Sequence, residues 1–229
     1  MNKSWLAVIS LFISFPVMSQ SNYSLADDPH APVNSAMNIV VSSLDAEEGN
    51  TYFAEAEKNE RKGELDEAVT LFSKAAFEYN SAKQYARYGS ALMRLSNVHL
   101  QLLHFAEAEQ VVLNVALKNY SKMGSKVGQM QSYSQLGKIY LAINKYTQSM
   151  WFYTQQGILA KQIGNENAYI ESVLGIANVK ILKKEYSMAS QDLNRAEVLA
   201  KSASTVHFKN QIRDARAVIA AKSSAKKQS

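Results

Sequence analysis

The stretch Leu136-Gly137-Lys138-Ile139-Tyr140, followed by Tyr146 and then Ser149-Met150-Trp151-Phe152-Tyr153, decides the reading of this chain. Its large apolar residues recur at three- and four-residue intervals, the period of one helix face, on both sides of a short break. Two antiparallel helices joined by a tight turn need small residues where their backbones approach. Gly137 and Ser149 supply them. They also need a bulky residue to plug the turn, and Tyr146 is placed for that.

Working outward, the same pattern recurs three more times. Ala68, Ala108, Ser149 and Ala189 fall at separations of 40, 41 and 40. Three residues before each stands a large one (Leu65, Phe105, Tyr146, Tyr186), and four after comes another (Phe72, Val112, Tyr153, Leu193). Twelve before each is a small or hydroxyl residue: Ala56, Ser96, Gly137, Ala177. A single hairpin cannot bury its apolar face by itself, so near-constant repetition predicts hairpins that stack and cover one another. The spacing predicts helices at 45–62 and 66–79, 83–103 and 106–122, 127–143 and 147–163, and 166–183 and 187–202. A ninth helix at 205–222 would cap the array, with Ser202, Ser204 or Thr205 able to start it.

These positions resemble the tetratricopeptide repeat family. The third segment carries Leu136, Gly137, Tyr140, Tyr146, Ser149 and Tyr153. The fourth keeps Tyr186, Ala189, Leu193 and Ala196, and the second keeps Leu95, Phe105, Ala108 and Ala116. The first segment departs at its start, where Glu55 and Asn59 replace the family's leucine and tyrosine, but its second half keeps Leu65, Ala68, Phe72 and Ala75. The likeness covers about residues 49–204, with a repeat of about 40 residues, longer than the family's basic unit. It implies an all-α fold: a right-handed superhelical solenoid of four helix-turn-helix repeats with a C-terminal capping helix.

The ends of the chain read differently. Lys3, the apolar run Trp5–Phe15, Pro16 and the small residues around Val17-Met18-Ser19 have the layout of a secretory signal peptide at 1–19. The run is shorter than the ~20 residues that span a bilayer. Residues 20–44, with Pro29 and Pro32, read as a flexible leader, 45–204 as the repeats, and 223–229 as a basic tail. Export is the expectation: to the periplasm in a Gram-negative source, otherwise into the medium. Charge is uneven. Residues 20–50 carry five acids and no base, whereas 51–229 carry 24 bases against 15 acids. That imbalance favours anionic partners.

No catalytic arrangement emerges. The chain has no cysteine and four histidines. His99 and His104, five apart, do not share a helix face as an i, i+4 metal pair does. Gly124-Ser125-Lys126-Val127-Gly128 lacks the order of a phosphate loop and has no strand before it. The lysines at 180, 183 and 184, with those at 222, 226 and 227, read as a solvated helix face and a soluble tail. Nucleic-acid binding would want aromatic or arginine readers beside them, and the expected export argues against it. The expectation is a non-enzyme without cofactor or metal, binding another protein. Self-association and contact with an anionic membrane surface stay open as the alternative.

The resemblance also says where a partner would bind, because the family's first helices line its inner groove. Carrying those positions across gives Phe53, Glu57 and Arg61 from the first repeat, and Met93, Asn97, Leu100 and Gln101 from the second. The third contributes Ser134, Lys138 and Leu141, and the fourth Leu174, Asn178 and Ile181. Asn97, Lys138 and Asn178 are equivalent in successive repeats, and asparagine both gives and accepts hydrogen bonds along a peptide backbone. Phe53 and Glu57 occupy places where the family's clamp for a C-terminal carboxylate needs lysine and asparagine.

Overall fold

The computed structural model describes residues 34–225, with side chains placed from 47 to 222, and every regular element among them is helical. The order is α1 (Asn34–Lys62), α2 (Leu65–Ser81), α3 (Tyr85–Gln101) and α4 (Phe105–Gln110). A π-helical stretch, Val111–Ala116, joins α4 to α5 (Leu117–Lys122) in one continuous rod. Then follow α6 (Lys126–Ala142), α7 (Tyr146–Gln162), α8 (Glu166–Leu182), α9 (Tyr186–Ser202) and α10 (Lys209–Ala225). Each helix packs on the next, giving an all-helical array of stacked hairpins. Residues 34–44, expected in the leader, belong to α1. The cap begins at Lys209, later than expected, because Thr205 and Val206 are irregular and His207 and Phe208 form a turn. The proposed signal peptide at 1–19 lies outside the described residues.

The turns set the rhythm. Each contains one residue in the left-handed region: Gly63, Lys83, Leu103, Gly124, Asn144, Gly164, Lys184 and Ser204. Their separations are 20, 20, 21, 20, 20, 20 and 20. The following residue donates its N–H five back, as Glu64 does to the Asn59 carbonyl at 2.9 Å and Glu185 to that of Lys180 at 2.8 Å. That bond satisfies a carbonyl the helix leaves open at its end. Glycine suits the position, and Asn144 tolerates it through its short polar side chain. Two of the helix starts carry a side-chain cap: Ser125 Oγ accepts from Gly128 N, and Asn165 Oδ1 from Ala168 N.

The one separation of 21 has a local cause. Buried positions in the second helices align as Ala68, Ala108, Ser149, Ala189, but further on as Ala75, Ala116, Gln156, Ala196. The extra residue therefore enters between Val112 and Ala116, where the chain is π-helical. A π turn absorbs one residue without breaking the rod. The spacing of 41 seen in the sequence is this bulge.

The small-residue pairs meet as expected. Ala56, Ala68, Ser96, Ala108, Ser149, Ala177 and Ala189 are fully buried. Where one partner is serine, its hydroxyl bonds across the hairpin: Ser96 Oγ donates to the Ala108 carbonyl at 3.0 Å, Ser149 Oγ to that of Gly137 at 2.7 Å. Between the hairpins lies the apolar core. Phe72, Leu95 and Val98 pack early in the array, Val112, Leu136, Ile139 and Phe152 in the middle, and Ile170, Leu174 and Leu193 with Phe208 and Ile212 at the capped end.

Candidate functional site

The first helices of the hairpins, α1, α3, α6 and α8, carry two hollows side by side. One, of about 410 Å³, is bordered by Phe53, Met93, Arg94, Asn97, Gln131, Ser134, Gln135, Lys138 and Glu171, with Tyr120 and Gln156 reaching in from the second helices. The other, of about 630 Å³, is bordered by Leu141, Asn144, Tyr153, Gly175, Asn178 and Gln211. Ser134, Lys138 and Glu171 belong to both and form the saddle between them.

Two tyrosines reach the hollows because glycine lets them pass. Tyr120, from α5, lies between Gly89 on α3 and Gly128 on α6; a Cβ at either would sit 2.5 or 2.1 Å from its ring. Tyr153, from α7, lies between Gly137 and Gly175 in the same manner, at 2.7 and 2.6 Å. Burial raises both phenols above the ordinary range. The Ser90 hydroxyl partly offsets the rise for Tyr120, and the Glu171 carboxylate adds to it for Tyr153.

The α1–α3 end of the groove is tied together by its own side chains, although Arg94 Nε is buried without a hydrogen-bond partner. Arg94 forms an ion pair with Glu60 at 2.6 Å and a longer one with Glu57 at 3.5 Å. Glu60 Oε1 also accepts from Asn97 Nδ2 at 3.1 Å and Gln101 Nε2 at 2.8 Å. Asn50 Oδ1 accepts from Tyr79 Oη at 2.9 Å and Arg87 at 3.1 Å. At the α6–α8 end the side chains of Gln131, Ser134, Lys138 and Asn178 have no hydrogen-bond or ion-pair partner among the described residues.

Of the positions carried over from the sequence, Phe53, Met93, Asn97, Ser134, Lys138, Leu141 and Asn178 border the hollows. Glu57 and Gln101 serve the Arg94–Glu60 network instead. Arg61 is exposed and borders neither hollow. Leu100 packs on the central core, and Phe53 lies edge-to-face with Phe72 at 5.3 Å. Leu174 is corrected: at 1% exposure it is core, packed with Leu193 and Phe208, and Ile181 leans on the same cluster. Arg94, Tyr120, Tyr153 and Gln156 were missed as site residues. A signal for Gln156 existed, since it stands where the other repeats have Ala75, Ala116 and Ala196.

Other sequence candidates resolve simply. Gly124–Gly128 is a turn and helix start, with Gly124 at φ +66. His99 and His104 have ring centres 5.8 Å apart, and no cluster of three metal-ligating side chains exists among the described residues. Lys180 pairs with Asp192, and Lys183 with Glu185, each at 2.6 Å. No described helix is long and apolar enough to cross a membrane.

The comparisons bear on the fold. The apo form of RapI superposes with a TM-score of 0.64 at 11% identity, over 82% of this chain and 76% of that one. BtubC (BKLC) from P. vanneervenii does so with a TM-score of 0.61 at 15% identity, over 76% and 77%. Both are helical-repeat proteins. This chain has their fold. No protein-family model and no curated protein matches the sequence.

Proposed function

We propose that this chain is an exported, non-catalytic scaffold of the tetratricopeptide class that holds a polypeptide segment of another protein along its first helices. The observation that carries the reading is a group of unengaged polar side chains, Gln131, Ser134 and Lys138 on α6 and Asn178 on α8, the last two at equivalent places, beside two adjoining hollows. Amide, hydroxyl and ammonium groups on a rigid helical face suit the carbonyls and N–H groups of an extended or helical segment. Leu141 and Met93 add apolar contact. The layout of residues 1–19 supports export.

A photo-crosslinking amino acid at position 131 or 134, introduced in the native host, tests the reading. The expected result is one partner joined at both sites and not from exposed Lys118 on the second-helix side. The double variant Lys138→Glu, Asn178→Ala should weaken that partner's binding by about tenfold or more, the scale of one charge-assisted hydrogen bond plus one neutral one. Equal labelling from position 118 would rule the groove out. The mass of the purified protein checks export, because removal of residues 1–19 must shorten the chain.

A further inference from the structure

We infer that the saddle between the two hollows holds a lysine or arginine side chain of the bound segment, on Glu171 and Gln156; this rests on the peptide-groove reading above. Both residues break the pattern of their own repeats. The position of Gln156 is otherwise alanine, and Ala75, Ala116 and Ala196 are all 0% exposed. Packing there asks for a methyl group, yet this repeat buries an amide to 1% exposure. Buried amides are costly unless their hydrogen bonds are made. Here half of them are: Nε2 donates to the Ala168 carbonyl and to Glu171 Oε2, both at 3.3 Å, while Oε1 has no partner.

Glu171 departs likewise. Its equivalents are Asn50, Ser90 and Gln131, all neutral, and it is exposed and forms no ion pair among the described residues. The amide of Gln156 thus steadies a carboxylate that appears in one repeat out of four. A carboxylate beside an unfilled amide oxygen offers acceptors and no matching donor. The complementary group is one made of donors with positive charge, an ammonium or a guanidinium. The setting sharpens the point, because residues 51–229 carry nine more bases than acids. A carboxylate with no ion pair among the described residues, in a basic protein, marks a place along this groove where a cation is welcome. Arg94 is already engaged by Glu57 and Glu60. Lys138, across the saddle, is left for a carbonyl or carboxylate of the same segment.

Random linear peptides displayed on phage and selected on the mature protein provide the test. The expected result is binders with lysine or arginine at one fixed position. As synthetic peptides they should bind Glu171→Gln about tenfold more weakly, and Glu171→Lys should abolish them or select acidic residues at that position. Gln156→Ala restores the residue of the other repeats, so it should fold at least as well while weakening the same peptides. Circular-dichroism melting of each variant keeps binding loss separate from unfolding. Binders that crosslink to position 131 and fail on Lys138→Glu, yet carry no fixed basic residue or ignore Glu171→Lys, overturn this inference and leave the groove standing. Absence of any peptide sensitive to Lys138→Glu overturns the groove and this inference with it.

Discussion

One helix position, held by Glu57, Asn97, Lys138 and Asn178 in turn, is used in opposite ways at the two ends of the groove. Between α1 and α3, Glu57, Glu60, Arg94, Asn97 and Gln101 bind one another, with Arg94 Nε left over, so the polar face there acts as cement between hairpins. Between α6 and α8, Gln131, Ser134, Lys138 and Asn178 are unengaged, and Gln156 keeps an acceptor without a donor. The difference teaches that equivalent positions in a repeat protein need not share a role. What separates a stabilising polar face from a binding one is whether its groups already have partners.

The comparison can be broken by substitution. The largest effect is expected at Gly128→Ala. The new Cβ would fall 2.1 Å from the Tyr120 ring, which Gly89 already hems in from the other side. Overpacking of this kind should cost about 3 kcal/mol in a denaturant titration. A loss under about 0.5 kcal/mol would show that Tyr120 is free to leave its slot.

Next comes a paired test. Glu60→Ala removes the carboxylate that binds Arg94, Asn97 and Gln101, and should destabilise by about 2 kcal/mol, since Arg94 is partly exposed and keeps Glu57. Glu171→Gln should change stability by less than about 0.5 kcal/mol. Equal losses from both would erase the distinction between cement and open site.

The smallest effect is a pH dependence. Burial and the Glu109 carboxylate, which accepts from Tyr140 Oη at 2.7 Å, push the Tyr140 phenol up to about 12. Tyr153 is raised as well, by burial first and then by Glu171. A raised phenol favours the protonated form in the fold, so its contribution is complete below the unfolded value of 10.0 and is lost as pH climbs through the folded value. Stability should therefore fall above pH ~10, with tyrosinate absorbance lagging behind that of the unfolded chain. Glu171→Gln should bring part of that absorbance to lower pH, whereas Glu60→Ala should not.

Much of this was legible in the residues. The alternation of small and bulky positions gave the hairpins, and the register of Ala68, Ala108, Ser149 and Ala189 gave their stacking. Of the carried-over positions, Phe53, Met93, Asn97, Ser134, Lys138, Leu141 and Asn178 fall beside the hollows, because a helix face is fixed by its period, while Leu100, Leu174 and Ile181 pack on the core. What stayed hidden depends on partners distant in sequence. Asn97 looks like a free amide until Glu60, 37 residues earlier, is seen to occupy it. Leu174 shares its helix face with Asn178 but turns into the core against α9. The value of 41 was visible as a number, yet its cause, a π turn between Val112 and Ala116, is a backbone event no side chain announces.

The turns carry a last consequence, for the ancestry of the chain. Because each ends in the same backbone conformation at nearly the same interval, a break at one left-handed residue matches a break at another. Residues 125–163 lie between two such joints, Gly124 and Gly164, and hold one whole hairpin, α6 and α7. A gene segment copied or lost between those joints keeps every later helix in phase, so the array can lengthen or shorten in a single crossover. The copies are then released to diverge, and one buried alanine can become a glutamine.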